Sequence, residues 1–186
     1  MSDLSDDAAL LAALSDDLDA GFAALVRAHQ RVVYSVALRV GGVDAEDLAA
    51  ECFLRAYRAL RRYDRSRILA LRPRAWLLTI LLNTWRNTVR SATRHPATPV
   101  ADVPEEAAGG ASVEELVTAE ETRRELGDAL AGLPENQRVA VVLRHVVGLP
   151  VAEISAVMRV PESTVKSHVR RGLARLRETY AKEALA

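Results

Sequence analysis

Val165, Val169, Leu173 and Leu176 stand at i, i+4, i+8 and i+11 in the stretch PESTVKSHVRRGLARLRE. That spacing makes one apolar stripe along a helix, which has to be buried against other helices. Just before it, Val151–Met158 offers Ile154, Val157 and Met158 for an inward face, and Arg159-Val160-Pro161 makes a short turn. Pro161 suits the start of the next helix because its missing N–H would have no intrahelical partner there. The face opposite the stripe carries Glu162, Ser163, Lys166, Ser167, Arg170 and Arg171. Two short helices about a tight turn, the second one basic, have the layout of a helix-turn-helix, whose second helix enters the major groove by its N-terminal turns. Short polar side chains near that end reach base edges, while arginines further along suit phosphates. A basic amphipathic helix on a protein-binding surface is the plainer reading of the same segment.

The rest of the chain repeats the helical period. Ser15 is placed to cap a helix to Val40, with Phe22, Leu25, Val26, Val32, Val33, Val36 and Val40 on one side and Gly41-Gly42 as its stop. Asp44 caps a second helix, with Leu48, Cys52, Phe53, Ala56, Tyr57 and Leu60 as its stripe. Periodicity fails from Tyr63 to Arg72, which reads as a loop. Pro73 then opens a third helix through Trp76, Leu77, Ile80, Leu81 and Thr84 to about Arg90. From Ser91 to Ala111 the composition turns to Ala, Pro, Gly and acids, as in a mobile linker. Ser112 with Glu115 is a capping box for a helix to about Ala131, Pro134 opens another, and Gly148 ends it. No strand pattern occurs. The expected fold class is all-α: two small helical domains, 1–92 and 112–186, joined by a flexible acidic Pro/Gly-rich linker, 93–111.

Charge is balanced overall, with 25 basic and 25 acidic residues, but unevenly placed. Residues 55–94 hold eleven Arg against one acid, whereas residues 1–20 hold six acids and no base. Such asymmetry points to a polyanion partner, although solvated helix faces produce it too. Within the arginine block, Arg65, Arg67, Arg72, Arg74, Arg86 and Arg90 are interleaved with Tyr63, Trp76 and Trp85. Cations mixed with aromatics suit a single or opened nucleic-acid strand, whose unstacked bases need flat partners. Trp76 lies on the apolar stripe and reads as core; Trp85 fits either role. The acidic turn Asp44, Glu46, Asp47 and Glu51 stabilises its own helix N-terminus, or docks a basic protein surface.

Other classes find little support. The single cysteine, Cys52, allows no internal disulfide or cysteine-based zinc cluster, and its apolar surroundings suggest a buried thiol. His29, His95, His145 and His168 are scattered without metal-ligand spacing, and no nucleophile-and-base set is visible, so no enzyme, metal or cofactor is expected. The acidic N-terminus is unlike a signal peptide, and no apolar run reaches the ~20 residues of a membrane span. A cytoplasmic location is expected.

The segments DAEDLAAECFLRAYRAL and RAWLLTILLNTWRN resemble region two of bacterial sigma factors, and LPENQRVAVVLRHVVGLPVAEISAVMRVPESTVKSHVRRGLARLRE resembles their region four. Occurring in this order across an acidic linker, they make the chain similar to the extracytoplasmic-function (ECF) group of the sigma-70 family. The resemblance implies a factor that binds core RNA polymerase and directs promoter-specific initiation, without chemistry of its own. It implies polymerase binding, to the clamp of the largest subunit, through Asp44, Glu46, Asp47, Glu51 and Arg55, with the flap of the second subunit as a further contact. It implies minus-ten DNA contacts at Tyr63, Arg65, Arg67, Arg74, Asn83, Arg86, Asn87 and Arg90. Minus-thirty-five contacts are implied at Glu162, Ser163, Thr164, Lys166, Ser167, Arg170, Arg171 and Arg175. An anti-sigma factor is a further implied partner. The competing reading is a helix-turn-helix regulator that is not a polymerase subunit, which predicts an upstream sensory or dimerisation domain such as a phosphoacceptor α/β unit.

Overall fold

The computed structural model describes residues 2–41, 45–92 and 126–183. Every regular element among them is helical, as the sequence pattern predicts. The first expectation to change is the helix from Ser15. Two helices stand in its place, α1 (Ser2–Asp16) and α2 (Leu18–Gly41). The Asp17 carboxylate accepts the backbone N–H groups of Asp19 at 3.0 Å and Ala20 at 3.1 Å, satisfying donors that a helix start leaves orphaned. Ser15 instead donates its hydroxyl to Ala12 O at 2.8 Å. The cap is therefore Asp17, and α1 packs on α2 with its Leu11 and Leu14 buried. At Gly21 a Cβ would lie 2.5 Å from both the Cα and the N of Leu14, so only glycine admits this approach of α1 to α2.

Helix α3 (Ala45–Leu60) buries Ala45, Ala49, Cys52, Ala56 and Leu60. Its Phe53 and Tyr57 meet Phe22 of α2 edge-on, with centroids 6.5 and 5.1 Å apart. Tyr57 also donates its hydroxyl to Asp19 at 2.6 Å, a bond that holds the phenol pKa above its ordinary value. The stretch expected to be a loop contains a short helix, α4 (Arg65–Leu69), because Asp64 caps it by accepting the Arg67 N–H at 2.7 Å. Ile68 anchors that turn in the core, while Leu69 remains 45% exposed. Helix α5 (Pro73–Ala92) buries Leu77, Leu78, Leu81, Leu82 and Trp85, a wider face than the expected stripe. The width reflects its neighbours, since α5 packs on α2, on α3 and on a helix of the second domain.

In the second group, residues 126–131 (α6) lead to α7 (Glu135–Val141), which widens into a π-helical turn over Val142–Val146. Gly148, at φ 78°, closes it in the left-handed conformation that glycine adopts without steric cost. Helices α8 (Val151–Met158) and α9 (Glu162–Glu183) complete the unit. The Ser112–Glu115 capping box and the linker expected over 93–111 lie outside the described residues.

A linker reading leaves the two domains unoriented; the structure puts them in contact. Helix α8 packs on α5, and α7 with its π turn packs on α2. Arg138 of α7 donates to three carbonyl oxygens, Val40 O at 3.2 Å, Ala131 O at 2.8 Å and Leu133 O at 3.2 Å. It thereby ties the last turn of α2 to the end of α6, where carbonyls lack intrahelical donors.

Candidate nucleic-acid interface

The tight turn between α8 and α9 is built from three local features. Arg159 adopts φ 57°, ψ 45°, ending α8 in the left-handed region. The Ser155 hydroxyl donates to Val160 O at 2.6 Å, and the Val160 N–H returns to Ser155 O at 3.2 Å. Pro161 then accepts the N–H groups of Thr164 and Val165 at 2.9 and 3.1 Å and launches α9. Ile154, Val157, Met158 and Val165 are buried between the two helices. Gly172 lets α9 cross α7 closely, since a Cβ there would lie 2.6 Å from Val141 Cγ2.

This packing turns Glu162, Ser163, Lys166, Arg170, Arg171 and Arg175 outward, with Thr164 and Ser167 half-buried beside them. Of the predicted apolar stripe, Val165 and Leu176 are buried. Val169 and Leu173 instead floor an open cleft of about 430 Å³ rimmed by Lys166, Arg170, Arg144, His145 and Arg177. The last three were not singled out as site residues from the sequence. Their signal was present in the basic pair Arg144-His145 just before a glycine stop, but only the fold brings them beside α9. His168 is half-buried, with Nδ1 lacking a partner among the described residues, and burial together with the nearby Arg171 lowers its pKa.

In the first domain the acidic turn forms the start of α3. Glu46 and Asp47 are exposed there, and the Glu51 carboxylate accepts from Arg55 Nε at 2.6 Å one helical turn on. Asp44 lies outside the described residues. Around α4, the Arg67 guanidinium sits 3.8 Å from the Tyr63 ring centroid, and Tyr63 in turn packs tilted on Trp76 at 6.2 Å. Arg65 pairs with Asp16 of α1 at 2.7 Å. Along α5, Asn83 and Arg86 are half-buried, while Asn87 and Arg90 are exposed. Arg86 pairs with Glu135 of α7 at 3.1 Å, and Arg74 donates to Val147 O at 3.2 Å. Trp85 is only 5% exposed, so of its two readings the core one holds, whereas Trp76 is the half-buried ring near the arginines. Two of the expected DNA-facing arginines thus meet the second domain.

Cys52 is buried as expected, donating weakly to Leu77 O at 3.5 Å, and desolvation pushes its pKa up to about 12. No group of three or more potential metal ligands is found among the described residues, and no described helix is long and apolar enough to cross a membrane. No strand is present among them either, so they contain no α/β sensory unit.

Two family models match the chain: Sigma-70 region 2 over residues 25–95 and Sigma-70, region 4 over residues 123–176. The ECF RNA polymerase sigma-E factor of Escherichia coli (strain K12) is 32% identical over 153 residues, 78% of each chain. ECF RNA polymerase sigma factor SigE of Mycolicibacterium smegmatis is 34% identical over 164 residues, which cover 86% of this chain and 62% of that protein. In fold, the chain is similar to CnrH, solved in complex with the cytosolic domain of CnrY, at a TM-score of 0.68 and 23% identity, covering 95% of this chain and 98% of that one. It is also similar to RpoE of Bartonella quintana, solved with the anti-sigma factor NepR, at a TM-score of 0.60 and 22% identity, covering 87% and 95%. With both sigma-70 regions in order and relatives matched over most of their length, the chain belongs to the ECF RNA polymerase sigma factors of the sigma-70 family.

Proposed function

We propose that this chain binds core RNA polymerase through the start of α3 and brings promoter DNA to it through α4–α5 and α9. The observation that carries the reading is the outward polar row of α9, held by a built helix-turn-helix, in a chain whose other half matches region 2. Glu162, Ser163, Thr164, Lys166 and Ser167 occupy the turns that reach base edges, with Arg170, Arg171 and Arg175 further on towards the backbone. Tyr63, Arg65, Arg67, Arg74, Asn83, Arg86, Asn87 and Arg90 serve the opened minus-ten strand, where aromatic faces and cations replace lost stacking. Polymerase supplies the chemistry and this chain supplies the address, so it works in the cytoplasm with no catalysis of its own. An anti-sigma factor is its natural antagonist: RpoE, a relative in fold, was solved with the anti-sigma factor NepR. The flap of the second polymerase subunit is the expected seat of the α7–α9 domain.

The acidic turn provides the test. Changing Glu46 and Glu51 together to Lys removes a favourable charge from the helix start and sets Lys beside Arg55, costing about 1 kcal/mol in all. Tm should fall by only a few degrees, roughly what that loss implies for a domain of this size. Co-purification with core polymerase should disappear. Normal retention of polymerase by the double variant would refute the assignment.

A further inference from the structure

We propose that Arg58, Arg61 and Arg62, at the end of α3, form a phosphate-binding patch that grips the backbone of a single nucleic-acid strand beside Tyr63 and Arg67. The inference rests on the minus-ten reading of Tyr63 and Arg67 and extends it by a surface that reads no base. None of the three arginines was singled out as a site residue from the sequence.

Most arginines of the basic block already have a partner inside the fold. Arg55 pairs with Glu51 at 2.6 Å, Arg65 with Asp16 at 2.7 Å, Arg72 with Glu153 at 2.9 Å and Arg86 with Glu135 at 3.1 Å. Arg74 donates to Val147 O at 3.2 Å. The one acid of residues 55–94 is Asp64, and its carboxylate is occupied at the start of α4. There it accepts the Ser66 hydroxyl and the Arg67 N–H, both at 2.7 Å. Arg58, Arg61 and Arg62 differ from the others. All three are exposed, and no described residue meets their guanidinium groups by a hydrogen bond or an ion pair.

The helical course continues past Leu60, since the Arg61 N–H donates to Tyr57 O at 3.1 Å and the Arg62 N–H to Ala59 O at 3.0 Å. Arg58 therefore stands three and four residues before the other two, and the three charges share one face. Like charges at that spacing repel. Carbonyls at a helix C-terminus favour cations and offset part of the repulsion; a polyanion would offset the rest. Tyr63 follows Arg62 directly, and the Arg67 guanidinium lies 3.8 Å from its ring centroid. A strand with a base against that pair brings its neighbouring phosphates past the end of α3. Arginines free of an acid then hold those phosphates by charge, whatever the sequence.

The test neutralises the patch in the full-length chain by combining Arg58→Gln, Arg61→Gln and Arg62→Gln, which keeps helix propensity nearly level. Holoenzyme reconstituted with core polymerase is titrated with a minus-ten single-stranded oligonucleotide and with a minus-thirty-five duplex across a range of salt. The triple variant should bind the single strand about tenfold more weakly in low salt, with a salt slope smaller by about 2, at roughly 0.7 for each phosphate lost. Preference among minus-ten sequences and binding of the duplex should stay as in the parent. Lys at the same three positions should restore affinity and slope, because a phosphate needs the charge and not the planar fork. An unchanged slope, with Tyr63→Ala still weakening the single strand, overturns the patch alone. Single-strand binding indifferent to both variants overturns the minus-ten reading beneath it. Loss of holoenzyme assembly in the triple variant also overturns the patch, by assigning the arginines to polymerase.

Discussion

Lys166 and Arg175 are both exposed on α9 but stand on nearly opposite sides of the helix and at different distances from its start, so their substitutions should differ in kind. A lost base contact costs about 1–3 kcal/mol and relaxes preference at one position, whereas a lost phosphate contact weakens all sequences alike. With reconstituted holoenzyme and a library of minus-thirty-five sequences, Lys166→Ala should change which sequences are used. Arg175→Ala should lower use of all of them. Uniform loss on Lys166→Ala would remove that residue from base reading. Cys52 gives a second expectation at this scale. With its pKa raised to about 12 and its sulfur in the core, a thiol-specific disulfide reagent should leave it unmodified at neutral pH until denaturant is added. Its burial was readable from the apolar period around it. The roles of the two tryptophans were not: they lie on opposite sides of α5, Trp85 enclosed and Trp76 half-buried.

At the scale of elements, α1 is the piece most exposed to a single change. It lies on α2 at Gly21 and packs on α4, where Asp16 holds Arg65. In Gly21→Ala the added methyl meets backbone atoms, which cannot turn aside as a side chain can. Helix propensity favours Ala by about 1 kcal/mol, but forced overpacking costs typically 1–3 kcal/mol, so the balance goes against the variant. Its Tm should fall by several degrees, and amide exchange should rise first in α1 and α4; protection equal to the parent's would show that the helices are not so closely pressed. The helix-turn-helix was clear from the sequence because stripe, turn and N-terminal proline agree at every level. Helix α1 was obscured by its acids, and α4 by its brevity, since five residues show no period and only the Asp64 cap marks the start. The close crossing at Gly172 had no sequence signal beyond the glycine, whose meaning depends on Val141 across the interface.

For the whole molecule, two small domains that hold each other should bind promoter DNA poorly until polymerase sets their spacing. Fixing that spacing makes the second contact intramolecular, so two weak contacts add into a strong one. Footprinting should show protection of both elements with core polymerase present and faint or no protection without it. Tight, sequence-specific protection by the isolated chain would point instead to a regulator independent of polymerase. The contact between the domains could not be foreseen, because its acids and arginines lie 49 and 81 residues apart in the chain. The Arg72–Glu153 pair, whose arginine side chain is 76% exposed, also makes the molecule sensitive to its salt surroundings. Ions screen such a pair as they screen a phosphate contact, with a Debye length of about 8 Å in the physiological range. A rise in ionic strength therefore loosens this link between the domains. Raising the salt concentration should thus broaden the range of distances between the two domains of the free chain.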